Sequence, residues 1–597
     1  MTRVRQIRPD GWTQVAIVLI CVQTLWRGWA AYDAYFWQDD FRYLADMQHG
    51  LSADMLFQSY NGHVMPGSFL MSWVVAATGS SHVLAASIVV FMSLVAAALL
   101  AITLRLLFGA HIATLVVLAA ALFTPLTLVG YTWFAYGLQL WPQQISLLAA
   151  LCSYAMWRRS GRTLWCVMGA VALLFGLFFW EKALLVGPAV VLFALLAASG
   201  GPIERLRAVI AQWRWFAAPV VLSVAYLALY LVLTNDSKVS ADLADQSAGV
   251  TDAVQHSVLR LFLPGLLGGP WTATGAVTTL NANPSNIALA VSAVIWVGII
   301  GCSFLQRGRS AGAAWIWLAV VLTIALAMVA AFRGFGGLTV RDSRYLADLV
   351  PMAAVAVAWA YLPLRLGGQP RSEAPLVEAA DDATPVGAVT PAWQAPLVLV
   401  LLAGIVASSW VTVATTTDRL DNRYSRNYVN GLRTSLAAET EPLLVTPAPP
   451  VAVMLGSTQD VAEAMGIKAR WVRSGANLRM VDPIGQLRPV GVPTGPWVAK
   501  GDRPDCGWLL TPQQPVTVQI PAVGTPVSVR VGLMSGQPQP VTVEVDGAPA
   551  ASTTTTVNGL GVVVLASPAP TRVTVRLPQG TSACVTDVSA GVVAAQE

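Results

Sequence analysis

The chain has 597 residues, 55% of them hydrophobic and 11% charged, with a formal net charge of +5 and a mean hydropathy of +0.61. Soluble domains carry about 25% charged residues, so this composition excludes an ordinary soluble enzyme. The charge gives no support for nucleic-acid binding, which needs basic residues gathered on one soluble face.

A membrane-crossing helix needs about 20 mostly apolar residues. About eleven stretches meet that requirement: 12–31, 82–107, 111–130, 140–157, 163–180, 183–199, 215–234, 285–305, 312–332, 345–365 and 395–414. The segment 65–78 is apolar but short, and reads as a re-entrant or interfacial helix. Arg3, Arg5 and Arg8 precede the first stretch, and Arg158, Arg159 and Arg162 follow the fourth. Arg205, Arg207 and Arg214 follow the sixth, and Arg307 and Arg309 the eighth. With alternating helices these basic loops fall on one side, which is therefore the cytoplasmic one. The N-terminus is then cytoplasmic, the protein is a multi-pass plasma-membrane protein, and 32–64, 131–139, 235–284, 333–344 and everything after about 415 lie outside. The first helix reads as a retained anchor, because it is long, contains Trp26 and Trp29, and lacks a small-x-small cleavage site.

Four segments follow from this reading: a membrane body over 1–365, a flexible cytoplasmic connector over 366–394, a last membrane helix over 395–414, and an extracytoplasmic β-rich domain over 415–597. The connector is rich in Pro, Ala and acidic residues. Alternating runs at 516–520, 527–531, 541–545, 562–565 and 573–577 have the period of two of half-buried strands, with Asp546-Gly547 and Pro578-Gln579-Gly580 as turns. Their spacing fits a β-sandwich, with a short helix at 458–466. Cys506 and Cys584 flank this region outside the cytoplasm and are expected to form a disulfide, two unpaired buried thiols being the alternative. Cys21, Cys152, Cys166 and Cys302 lie in membrane stretches as small apolar fillers.

Polar residues concentrate at the outer helix ends. The first outer loop reads Tyr35-Phe36-Trp37-Gln38-Asp39-Asp40-Phe41-Arg42-Tyr43-Leu44. Two adjacent carboxylates there can act as a general base and its partner, as ligands of a divalent cation, or as caps of a helix over 41–48. These readings are compatible, since a cap also holds a side chain rigidly.

An aspartate pair in the first outer loop, after the first of about eleven helices, resembles the GT-C superfamily of integral-membrane glycosyltransferases. The resemblance covers about 1–365. The trailing β-sandwich resembles the carbohydrate-binding-like domains of actinobacterial cell-wall members. It implies transfer of a sugar from a polyprenyl-phosphate donor to an envelope glycan, glycolipid or protein on the outer face. An acidic residue of this loop takes the acceptor proton, so Asp39 or Asp40 is the expected base. Asp40 is favoured slightly, because its flanking residues can pack it toward the membrane. Basic residues near the later helices hold the phosphate in some members, which points to Arg344, with Arg341 beside it and Asp348 one helical turn away to orient it. Lys182 can hold the phosphate as a point charge with Glu181 orienting it, or the two form an interfacial ion pair. Asn61 and His63 can bind sugar hydroxyls or orient a carboxylate, or they build an interfacial turn. The expected partners are the lipid-linked sugar, the acceptor and membrane lipids, with no nucleic acid. A divalent cation, Mg or Mn, is an open possibility at Asp39 and Asp40. Trp471, Trp497 and Trp508 are either sugar-stacking or core residues. A non-catalytic envelope scaffold, or a transporter of lipid-linked sugar, is the alternative function.

Overall fold

The computed structural model describes residues 9–234, 254–269, 283–333, 341–366, 394–449, 456–491, 494–521, 527–566 and 571–595. Arg3, Arg5, Arg8 and nearly all of the connector 366–394 lie outside the described residues. The chain divides into two compact units, Met1–Phe36 with His49–Asn422, and Trp37–Gln48 with Arg423–Glu597.

The first unit is helical. Every predicted apolar stretch contains a helix, but among the described residues six helices are long and apolar enough to cross a membrane. They include Pro9–Asp33, His82–Phe108, Trp213–Thr234 and Asn286–Arg307. Other stretches are interrupted. The stretch predicted over 111–130 stops at Phe123, because Pro125 disfavours helical geometry in the residue before it, and resumes as the short turns Pro125–Thr127 and Val129–Thr132. The helix predicted from 140 starts earlier, at Phe134, and runs to Ser160, so Arg158 and Arg159 stand in its last turn rather than in a loop. The short apolar segment forms the helix Pro66–Ala77, and the last membrane helix extends over Gln394–Leu420, beyond the predicted 395–414.

One membrane-length helix carries a buried cation near its C-terminal end. Arg27, wholly buried within Pro9–Asp33, donates to the carbonyls of Phe123 (3.3 Å) and Thr124 (2.9 Å). It thereby satisfies acceptors that the broken helix leaves without intrahelical partners.

The second unit differs from the predicted 415–597 by starting at Arg423 and by including 37–48. The helix Asp39–Gln48 packs on the helix Thr458–Ala464, where Gln48 Nε2 donates to the Ala464 carbonyl at 3.2 Å. All five predicted strands form, and two sheets face each other. One has the order Val516–Gln519, Arg572–Arg576, Pro540–Val545, Ala548–Thr554. The other runs Ser474–Ala476, Leu560–Ala566, Val527–Met534, Ala583–Val592, Thr494–Ala499, with Trp508–Leu510 also paired to Ala583–Val592. Asp546 (φ 49°) and Gly547 (φ 87°) both adopt the left-handed backbone that a tight two-residue hairpin requires. Inward-facing Val529, Val531, Val541, Val543, Val573 and Val575 join one core against which Trp497 and Trp508 pack. Both tryptophans are partly buried against that core.

Cys506 and Cys584 form the disulfide, closing a separation of 78 residues. Loop-closure entropy for such a ring is worth about 4 kcal/mol. The double variant Cys506→Ser/Cys584→Ser is expected to lose most of that in thermal unfolding of the full chain, followed by hydrogen exchange on the strands 508–510 and 583–592. Wild type treated with reductant should match it.

Candidate active site

Within the helical unit, three short irregular segments bring charged side chains together at one end of the bundle. The first is a hairpin pairing Ser59–Tyr60 with His63–Val64, turned by Asn61 (φ 50°) and Gly62 (φ 77°). Asn61 is exposed at the turn, which only Asn, Asp or Gly makes at little strain. Tyr230 donates to the Gly62 carbonyl (2.7 Å) and Tyr226 to that of Val64 (3.1 Å), fixing the hairpin to the helix Trp213–Thr234. His63 is thereby held with Nδ1 2.5 Å from Glu181 Oε1.

The second segment is a break between helices. The helix Leu164–Phe179 stops at Trp180, whose extended backbone (φ −161°, ψ 132°) turns the chain into the 3-10 turn Glu181–Leu185 before the helix Val186–Ala197. The break leaves backbone acceptors to be satisfied, and Gln143 Nε2 donates to the Lys182 carbonyl at 3.2 Å. Glu181 and Lys182 are both buried. Lys182 does not pair with Glu181. Its Nζ donates to Asp348 Oδ1 and to the Tyr345 carbonyl, each at 2.7 Å.

The third segment, 341–349, consists of two 3-10 turns ahead of the helix Val350–Tyr361. Arg344 and Asp348 are therefore not one α-helical turn apart, and the expected pairing between them is replaced. Asp342 orients Arg344 instead, accepting from its backbone N–H (3.0 Å) and pairing with its Nε (2.8 Å). Burial raises the Asp342 carboxyl above the usual carboxylate range, and the neighbouring guanidinium draws it back down. The Arg344 guanidinium carbon lies 5.1 Å from the Trp133 ring centroid and 4.9 Å from that of Tyr345. Tyr136 donates to the Arg344 carbonyl at 2.7 Å, and Gln144 to that of Ala347 at 3.0 Å. Arg344 remains partly exposed and Arg341 is exposed.

The structure thus brings His63, Glu181, Lys182, Arg344 and Asp348 onto linked segments of one unit. Asp342, Tyr136, Gln143 and Gln144 complete the set and were not singled out from sequence. The signal was present in Gln143-Gln144, two amides beside Pro142 in an otherwise apolar stretch.

Asp39 and Asp40 belong to the other unit. Both stand in the first turn of Asp39–Gln48, where carboxylates suit the helix dipole. Asp40 is wholly buried, and its Oδ2 accepts the Trp37 backbone N–H at 2.9 Å, reaching back to the residues just before the helix. Asp39 is half-buried. Gln38 just before it has φ 45°, a strained conformation for a residue with a side chain. Among the described residues no group of three His, Cys, Asp or Glu is arranged to hold a metal ion.

The helices define a multi-pass membrane protein with a β-rich domain and a buried ionic cluster at one end of its bundle. No known protein family matches the chain, and none of the curated proteins does. Among solved structures it is similar to ArnT from Cupriavidus metallidurans, determined bound to undecaprenyl phosphate, with a TM-score of 0.41 and 13% identity over 80% of this chain and 87% of that one. It is also similar to the arabinosyltransferase EmbB from Mycobacterium smegmatis, with a TM-score of 0.34 and 17% identity over 99% of this chain and 66% of that one.

Proposed function

We propose that this protein is a GT-C-type glycosyltransferase that moves one sugar from a polyprenyl-phosphate donor to an envelope glycan, glycolipid or protein on the outer membrane face. The observation that carries the reading is Arg344. In an apolar helix bundle, its guanidinium is fixed by Asp342, flanked by the rings of Trp133 and Tyr345, and still partly exposed. A preorganised, partly exposed planar cation suits a phosphate leaving group, whose charge grows as the sugar departs. Arg341 adds a second, exposed charge to the same segment. Lys182 acts from behind, because two of its three N–H donors are spent on Asp348 and Tyr345.

The reaction is a single displacement with inversion. The acceptor hydroxyl gives its proton to a carboxylate, its oxygen bonds the anomeric carbon, and the bond from that carbon to the phosphate oxygen breaks with its electron pair. The resemblance of the first outer loop assigns the base to the Asp39-Asp40 pair. Asp39 is the member we favour, since Asp40 is buried as a cap. His63, held by Glu181, is the candidate contact for the sugar. In this reading the N-terminus is cytoplasmic and the β-rich unit extracytoplasmic.

The test is transfer by the purified full chain in detergent, offered a panel of polyprenyl-phosphate sugars and envelope acceptors. A new glycosidic bond is expected. Arg344→Lys, which keeps the charge but loses the forked geometry, is expected to lower kcat/KM for the donor about tenfold, the worth of one charge-assisted hydrogen bond. Movement of lipid-linked sugar across vesicles without bond formation would instead make the protein a transporter.

A further inference from the structure

A second basic cluster lies at the other end of the same helices. The helix Phe134–Ser160 starts beside Arg344, through Tyr136, and ends at Arg159, about 35 Å away at 1.5 Å per residue. There Arg159 Nε donates to the Arg365 carbonyl at 3.1 Å, and its Nη2 donates to the Leu106 carbonyl. The Arg365 backbone N–H donates to the Leu107 carbonyl at 2.8 Å, and Arg365 Nη2 lies 3.2 Å from His111 Nε2. The Arg365 guanidinium rests on Gly109, where a Cβ would come within 2.5 Å of it, so a side chain there would displace it. Arg105, on the same helix end, donates to Thr13 Oγ1 at 2.7 Å and sits 5.6 Å from the Trp12 ring. All three arginines are exposed, and none pairs with a carboxylate among the described residues.

Helix capping accounts for part of this arrangement. Two helix C-termini, those at Phe108 and Ser160, meet the guanidiniums, and each carries roughly half a negative charge. Three guanidiniums against that leave about two positive charges unmatched among the described residues. Trp12 stands beneath Arg105 as an indole with one apolar and one polar edge, and its Nε1 donates to the His111 carbonyl at 3.2 Å. Ile102, three residues before Arg105 on the same helix, and Ile112, next to His111, are 53% and 51% exposed and present apolar surface near the basic groups. Unmatched cations at the ends of membrane-length helices, bordered by apolar surface, fit an amphiphilic anion better than a free one.

We propose that Arg105, Arg159 and Arg365, with His111, form a binding site for the phosphate head group of an anionic phospholipid, whose acyl chains lie along the exposed isoleucines. The site is independent of the transfer reaction. The probe is phosphatidylglycerol added to the full chain in detergent, with phosphatidylcholine and inorganic phosphate as the comparison arms. Lipid adducts are counted by native mass spectrometry, and thermal unfolding is followed in parallel. Wild type is expected to retain phosphatidylglycerol and to melt several degrees higher with it, but with neither of the others. Arg159→Gln/Arg365→Gln is expected to weaken phosphatidylglycerol binding at least tenfold. If that double variant does not fold, Arg105→Gln carries the test, with a smaller loss in the same direction. Arg205→Gln/Arg207→Gln, on the separate exposed helix Pro202–Ile210, should leave binding unchanged. Equal loss in that control would show a diffuse charge effect and overturn the site. Stabilisation by inorganic phosphate alone, or undiminished lipid binding in the cluster variants, would overturn it as well.

Discussion

Replacing Asp39 with Asn in the full chain is expected to lower sugar transfer by a hundredfold or more, the range for removing a general base. The substitution keeps the side chain's shape and its place in the first turn of Asp39–Gln48, and removes only its basicity. Asp40→Asn is expected to behave differently. Its carboxylate oxygen accepts the Trp37 backbone N–H, and an Asn carbonyl oxygen can accept the same bond, so transfer should fall only several-fold. Transfer measured under donor saturation, beside gel-filtration profiles of both variants, separates the two. A hundredfold loss confined to Asp40→Asn would reverse the assignment. Full activity in both would leave the pair as helix caps and remove the aspartates from the chemistry.

Lys182→Met is expected to destabilise the helical unit by about 3–5 kcal/mol, because it leaves the carboxylate of Asp348 buried without its cation. Both side chains are nearly inaccessible, at 5% and 0%, so water cannot replace the lost partner. Lys182→Met/Asp348→Leu should recover most of this stability, since an apolar pair of similar volume removes both desolvation costs. The Tyr345 carbonyl would still lack its donor, leaving a residual loss of about 1 kcal/mol. Unfolding in detergent, with single and double variants compared as a cycle, reads the coupling directly. A double variant as unstable as Lys182→Met alone would show that the Tyr345 carbonyl, and not Asp348, is what Lys182 supports.

The membrane class, the positions of the apolar helices and the β-rich C-terminal region were legible in the chain itself. Each rests on local pattern: runs of about 20 apolar residues, a period of two, and turn dipeptides such as Asp546-Gly547. The Cys506–Cys584 pairing was legible for a similar reason, since the β-rich region contains two cysteines and each has one partner to choose from. Pairings among charged side chains were not. Glu181 and Lys182 are neighbours in the chain, yet one pairs with His63 and the other with Asp348, 118 and 166 residues away. Sequence adjacency suggested an ion pair between them, but the extended backbone at Trp180 and the 3-10 turn after it send the two side chains to different segments.

Arg344 makes the same point from the other side. The chain identified it as a cation at the start of a helix, but its orienting carboxylate depended on the local backbone. An α-helix through 344–348 would have offered Asp348, whereas the 3-10 turns offer Asp342. Asp39 and Asp40 follow the first membrane helix in sequence, yet their helix packs on Thr458–Ala464, more than 400 residues on. The amino-acid sequence by itself determined which segments enter the membrane and which form strands, because solvent preference and backbone periodicity act over a few residues at a time. Only the tertiary structure decided which buried carboxylate meets which cation, because that choice depends on where helices break and on which unsatisfied groups the breaks bring within hydrogen-bonding distance.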